Sequence, residues 1–212
     1  MSVPMSTHSE PGPAFRNEPY RDFARPENRR AMEEALAEVR AAFGREYELL
    51  VAGARLRTSE KLLSYNPSCP PEVVGVHQKA TVALANKAVE SAFAYFPEWS
   101  HRHPEERIRM LFNAAGILRR RKLEFDAWLV YEAGKTWPEA EADVSEAIDF
   151  CEYYARLAGR LANPEPIHQL PGERNRMVYL PLGVGVVIPP WNFPLAILAG
   201  MTSAALVTGN TV

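Results

Sequence analysis

Cysteine is scarce in this sequence. Cys69 and Cys151 are the only two in 212 residues, too few for a disulfide framework or a cysteine-rich metal site, so the expected setting is a reducing cytoplasm. Long apolar runs are missing as well. The richest stretch, Leu195 to Val207, is interrupted by Gly200, Thr202 and Ser203 and is too short to cross a bilayer. Neither sign of charge dominates: 24 Lys and Arg face 26 Asp and Glu, a net charge of −2, which argues against nucleic acid as the main partner. The one basic cluster, Arg119 to Lys122, follows an apolar-periodic stretch and reads as a helix C-terminus, where cations oppose the macrodipole. The opening "MSVPMSTHSEPGPAFRNEP" has neither the basic region nor the apolar core of a secretory signal. Its Pro, Ser and Gly content predicts a disordered lead-in over residues 1–14.

What is present is the 47% hydrophobic, 24% charged balance of an ordinary globular chain. The spacing of Met32, Leu36, Val39 and Phe43 predicts a helix that Gly44 ends. Residues 49–75 alternate around turn signals and predict a small β-meander with a Pro-rich loop at Pro67 to Pro71. Helices follow. One carries Val82, Val89, Phe93 and Phe96 on one side; the next opens at Pro104 and buries Ile108, Leu111, Phe112, Ala115 and Leu118. A short helix stops at Gly134. Another starts at Pro138 with three acids in its opening turns and is expected to stop at Gly159. Its apolar stripe is Val144, Ala147, Ile148, Cys151, Ala155 and Ala158, with Glu146, Asp149, Phe150 and Tyr153 on a second face. Residues 15–162 are therefore read as a helical part with a small sheet, and residues 163–178 as a polar connection or exposed hairpin.

From residue 179 the pattern changes. Leu182 to Ile188 reads as a buried strand, Pro189 to Phe193 as a tight turn, Pro194 to Thr208 as a helix, and Thr211-Val212 as the start of a second strand. This is an α/β pattern, a βαβ unit at the start of a parallel, Rossmann-like sheet, and the chain is expected to be the first portion of a larger fold.

Few motifs in it carry chemistry. In "GVGVV" the glycines open the strand instead of following it, so strand packing explains them better than a dinucleotide fingerprint. Cys69 lies in a Pro-rich loop and Cys151 in an apolar stripe, and neither has a visible setting that would lower a thiol pKa. No metal site is expected from His8, His77, His101, His103 or His168. Glu146 is either a solvated helical acid or, beside Phe150 and Tyr153, a group turned toward a site. Asn192 has two readings as well. It is a turn former between Pro190 and Pro194, or a non-titrating donor at the carboxyl end of a strand, where α/β folds bind ligands.

"PLGVGVVIPPWNFPLAI" resembles the PWNFP segment of the aldehyde dehydrogenase superfamily. "YEAGKTWPEAEADVSEAIDFCEYYAR", "FRNEPYRDF", "RRAMEEALAEVRAAFG" and "NPSCPPEVVG" resemble one branch of it, the L-glutamate γ-semialdehyde (Δ1-pyrroline-5-carboxylate) dehydrogenases. The resemblance runs from about Phe15 to Val212. It implies NAD-linked oxidation of a small-molecule aldehyde, L-glutamate γ-semialdehyde, to L-glutamate in proline degradation, with proline dehydrogenase as the upstream pathway enzyme. It further implies that Asn192 stabilises the oxyanion, that Ile188, Pro189, Pro190 and Trp191 line the cofactor site, and that Glu146 and Phe193 shape the aldehyde pocket. Residues 163–178 match a region that contributes to a subunit-bridging flap in a homo-oligomer. Pro189 stands where relatives often have a small residue. The family's nucleophilic cysteine and general-base glutamate match nothing in these residues, so the chain alone is expected to be inactive. Two alternatives accompany this reading: a non-enzymatic helical interaction module, and an aldehyde dehydrogenase of different substrate.

Overall fold

The computed structural model describes residues 14–164 and 166–212. The lead-in expected over residues 1–14 lies outside them except for Ala14. Among the described residues six helices and five short strands follow one another in chain order. Helix α1 (Pro26–Ala41) opens with Pro at its first position and buries Met32, Ala35 and Val39, one residue per turn. Gly44 follows with φ +75, the left-handed conformation that lets the chain turn back into strand β1 (Arg45–Tyr47).

The sheet differs from a meander. β2 (Leu49–Val51) and β3 (Ala54–Leu56) form a separate antiparallel hairpin, while β1 lies parallel to β5 (Val73–Gln78), which also pairs antiparallel with β4 (Lys61–Tyr65). The order β1-β5-β4 places the most apolar strand, with Val74 2% exposed, in the centre. Alternation predicts that a segment is extended, but pairing is decided by which strand has the apolar surface to be central.

Helices α3 (Pro104–Arg120), α4 (Lys122–Ala133) and α5 (Trp137–Ala162) enclose the main core, in which Ala115, Leu129, Ala140, Val144, Ile148 and Cys151 meet. The predicted apolar stripe of α5 is buried at every position from Val144 to Ala158. Gly134 ends α4 in the left-handed region at φ +66. Thr136 starts α5, its N–H and Oγ1 both donating to the Glu139 carboxylate. α5 does not stop at Gly159. It runs on to Ala162, because nothing turns the chain there; Pro164 restricts the backbone of Asn163 and ends it instead.

The segment from Phe15 to Asp22 is strapped along these helices. Asp149 accepts from the Glu18 N–H and the Asn17 amide, each at 2.7 Å, and Glu141 accepts the Arg21 N–H at 2.8 Å. The apolar side predicted for α2 (Val82–His101) is real but uncovered: Val82, Val89 and Phe93 are exposed, and α2 has no buried residue.

Helix α6 (Ala196–Val207) is held at both ends by buried charges of the sign its dipole favours. At its N-terminus the Asp143 carboxylate accepts the Ala196 N–H at 2.7 Å. At its C-terminus Arg107 Nε donates to the Val207 carbonyl at 3.0 Å and Trp99 Nε1 to the Leu206 carbonyl at 3.0 Å. Between these clamps Gly200 lies against the Phe150 ring so closely that a Cβ there would be 2.9 Å from Cδ2.

Residues 182–188 correct the expectation of a buried strand. They are extended but pair at a single parallel bridge, Val184 to Thr211, with Leu182, Val186 and Ile188 exposed. A strand has no ladder of its own, and one bridge neither makes a sheet nor covers its faces. The connection from residue 184 through α6 back to residue 211 is nonetheless the parallel crossover read from the sequence.

Candidate functional site

The turn Trp191–Leu195 leads directly into α6, so whatever fixes the helix start fixes the turn. The Phe193 carbonyl already accepts the Ile197 N–H at 3.2 Å, and the Leu195 carbonyl accepts that of Ala199 at 2.9 Å. Asn192 is exposed, and its amide hydrogen-bonds to no other described residue. It is a neutral donor in the turn that opens α6.

At Phe193, Lys135 from the loop between α4 and α5 meets Asp143, and Glu146 lies within its electrostatic reach. Lys135 Nζ lies 2.8 Å from Asp143 Oδ2 and 4.0 Å from the centre of the Phe193 ring. Asp143 is fully buried and Lys135 nearly so. Glu146, one turn along from Asp143, is half-buried. Burial and then the Asp143 charge push its carboxyl above the usual range, against the pull of Lys135. The fold thus brings Glu146 and Phe193 to one corner through Lys135. Ile188 and Trp191 are largely exposed, Pro190 is exposed and Pro189 is half-buried.

Burial excludes Cys151 as a nucleophile. Cys151 is buried in the core, and desolvation pushes its thiol up to about 11. Cys69 is exposed in the loop between β4 and β5, a turn closed on Asn66. Among the described residues no group of three or more His, Cys, Asp or Glu side chains could hold a metal ion, and no helix is long and apolar enough to cross a membrane. A cavity of about 520 Å³ between α1, β5 and α4 reaches Pro194 and Leu195 but none of the predicted site residues.

Residues 55–212 match the model of the Aldehyde dehydrogenase family. The chain belongs to that family. Among curated relatives, the 1-pyrroline-5-carboxylate dehydrogenase of Geobacillus thermodenitrificans is 54% identical over 198 residues, which are 93% of this chain and 38% of that protein. The 1-pyrroline-5-carboxylate dehydrogenase from Thermus with bound NAD is 52% identical and superposes with a TM-score of 0.91, over 94% of this chain and 39% of that one. Proline utilization A from Bdellovibrio bacteriovorus is 41% identical with a TM-score of 0.92, over 94% of this chain and 21% of that one. The chain therefore spans under two fifths of the length of the curated relatives it matches. Its fold is the N-terminal part of the aldehyde dehydrogenase fold, mixed helices and small sheets, as the family resemblance implied.

Reading the sequence missed Asp143 and Arg107. Asp143 is one of the three acids in the opening turns of α5, which the helix dipole explains, yet it sits between Ala140, Val144 and Ala147 on the stripe that is buried. Arg107 likewise adjoins Ile108 and Leu111. A charge on a face that must be apolar is the signal that could have found both.

Proposed function

We propose that this aldehyde dehydrogenase chain contributes the oxyanion-binding and pocket-shaping part of an enzyme that oxidises L-glutamate γ-semialdehyde to L-glutamate with NAD, in proline degradation. The observation that carries it is the Asn192 amide, exposed and unpaired on a turn whose following helix is clamped at both ends. Identity of 54% to a 1-pyrroline-5-carboxylate dehydrogenase supports the substrate.

In this reading the Asn192 side chain donates a hydrogen bond to the oxygen of the aldehyde as it becomes an oxyanion. An amide suits the task, because it donates at every pH and brings no charge of its own. Phe193, its ring face held by Lys135, and Glu146 form the wall beside the aldehyde. Ile188 to Trp191 offer exposed apolar side chains and a Pro-stiffened backbone, a surface that fits a flat, heteroaromatic cofactor. Ile188, Pro189, Pro190 and Trp191 would hold NAD, which would supply the hydride acceptor. Cytoplasmic location, a homo-oligomer using residues 163–178, and proline dehydrogenase as the supplier of substrate belong to the same proposal. The likeness to a structure of proline utilization A supports the last.

The test joins these 212 residues to the remaining residues of the Geobacillus thermodenitrificans relative and follows NADH formed from L-glutamate γ-semialdehyde. Asn192→Ala is expected to lower kcat by about 10²–10³-fold with little change in KM. The 212 residues alone are expected to give no turnover. An unaltered kcat in the variant, or robust turnover by the short chain, would sink the reading.

A further inference from the structure

Asp143 holds two parts of the candidate site with one carboxylate. Its Oδ1 takes the Ala196 N–H at 2.7 Å, a bond buried on both sides. Its Oδ2 forms an ion pair with Lys135 Nζ at 2.8 Å, and the same ammonium rests on the Phe193 ring at 4.0 Å. Leu195, the residue before the bonded amide, joins α6 to the turn that carries Asn192. The carboxylate belongs to α5, which the main core anchors through Val144, Ile148 and Cys151. Leu195 also packs against the main core, but the Asp143 carboxylate is the one side chain that hydrogen-bonds the first turn of α6 among the described residues. The Asn192 amide has no partner among the described residues, and the segment before the turn is bonded to Asn210 and Thr211 only through Leu182, Gly183 and Gly185, well upstream of the turn.

We propose that Asp143 is a positioning residue for catalysis, which sets the Asn192 amide through the first turn of α6 and sets Phe193 through Lys135. This rests on the oxyanion and pocket roles proposed for Asn192 and Phe193. Asp143 touches no substrate. It acts by removing freedom from the group that does, and a displacement of about 1 Å in such a group is enough to cost on the order of 10²-fold in rate. The second oxygen matters as much as the first. A neutral acceptor would cap the helix but would release Lys135, and an uncompensated ammonium would leave the Phe193 face for water.

Amide exchange in the 212-residue chain reads the anchor directly. Asp143→Ala is expected to speed exchange at Ala196 by about 30-fold, while Asp143→Asn, which keeps an acceptor oxygen, stays within about threefold of the parent. Catalysis is read in the chain joined to the relative's remaining residues. There Asp143→Ala is expected to lower kcat by at least about tenfold with the aldehyde KM moved less than about threefold. In an Asn192→Ala background the same change is expected to cost less than about twofold, because the amide it positions is gone. A loss that persists in full in that background marks Asp143 as merely structural and overturns the proposal, as does unchanged exchange at Ala196. A silent Asn192→Ala would instead remove the oxyanion assignment itself, so the two failures are told apart. If Asp143→Ala does not fold, the paired change Asp143→Leu with Lys135→Met, which removes the Ala196 acceptor without leaving a buried charge, enters the same cycle. Its kcat loss is expected to vanish when Asn192 is alanine, and additive losses overturn the proposal.

Discussion

Lys122 Nζ lies 2.5 Å from the Glu141 carboxylate, with both side chains almost wholly buried. The same ammonium donates to the Pro19 carbonyl at 3.1 Å, and the same carboxylate accepts the Arg21 N–H. A single ion pair between the start of α4 and the start of α5 thus also fastens the N-terminal strap. Breaking such a pair leaves one charge buried without a partner, which costs about 3–5 kcal/mol. Lys122→Met is expected to lower the urea midpoint accordingly, and to expose residues 15–22 to proteolysis before the rest of the chain unfolds.

Asp126 adjoins this pair and is fully buried. Burial first, then the neighbouring Glu141, push its carboxyl up to about 8. A raised carboxyl is protonated in the folded chain where the unfolded chain has lost its proton. Its contribution is complete below about pH 4, the usual carboxylate range, and is lost as the pH climbs through about 8. Stability from this group therefore falls between those limits. Asp126→Asn is expected to flatten the fall, with its largest gain over the parent at pH 8 and above; urea midpoints measured from pH 5 to pH 9 check it. An equal effect at every pH would contradict the assignment.

Gly200 leaves no room for a methyl group against Phe150. Gly200→Ala overfills that contact, and the usual helix-propensity gain of alanine is expected to be outweighed by about 1–3 kcal/mol of strain. Pairing it with Phe150→Leu should restore part of the loss. Thermal midpoints of the two single variants and the double variant decide this.

Glu146 is half-buried with its carboxyl raised. In the joined enzyme, Glu146→Ala is expected to weaken selection of L-glutamate γ-semialdehyde over a simple aliphatic aldehyde of the same length. Comparing kcat/KM for the two substrates checks it. An unchanged ratio takes Glu146 out of the pocket and favours a dehydrogenase of different substrate.

Leu182, Val186, Ile188 and Trp191 present a nearly continuous apolar edge, with Leu182 99% exposed. Such an edge invites pairing with another copy. The 212-residue chain is expected to self-associate at micromolar concentration, and Val186→Lys should reduce the association seen by sedimentation. A monodisperse monomer with a sharp cooperative melt would contradict this.

The parts of this molecule that follow from local spacing were legible in the sequence. α5 shows it best, since 3.6-residue periodicity alone picks out Val144, Ala147, Ile148, Cys151, Ala155 and Ala158. The sheet order was not legible, because β1 finds β5 across a distance that no local pattern encodes. The exposure of Val186 and Ile188 was not legible either: apolar composition states what a segment requires, not what lies against it. In the candidate site, the turn around Asn192 announced itself through its prolines. Asp143 did not, since an acid near a helix start has an ordinary explanation in the dipole. Only the fold shows that it serves the start of another helix, α6, rather than its own.

Asn210 accepts two consecutive backbone N–H groups, those of Leu182 at 2.6 Å and Gly183 at 3.0 Å. A slide of one residue along Thr211 would forfeit both bonds and turn every following side chain to the opposite face. The side chain works as a vernier for the segment that enters the Trp191 turn. The register of the segment that enters the Trp191 turn is thus held beyond the C-terminus of α6, by one side-chain oxygen far along the chain from Asn192.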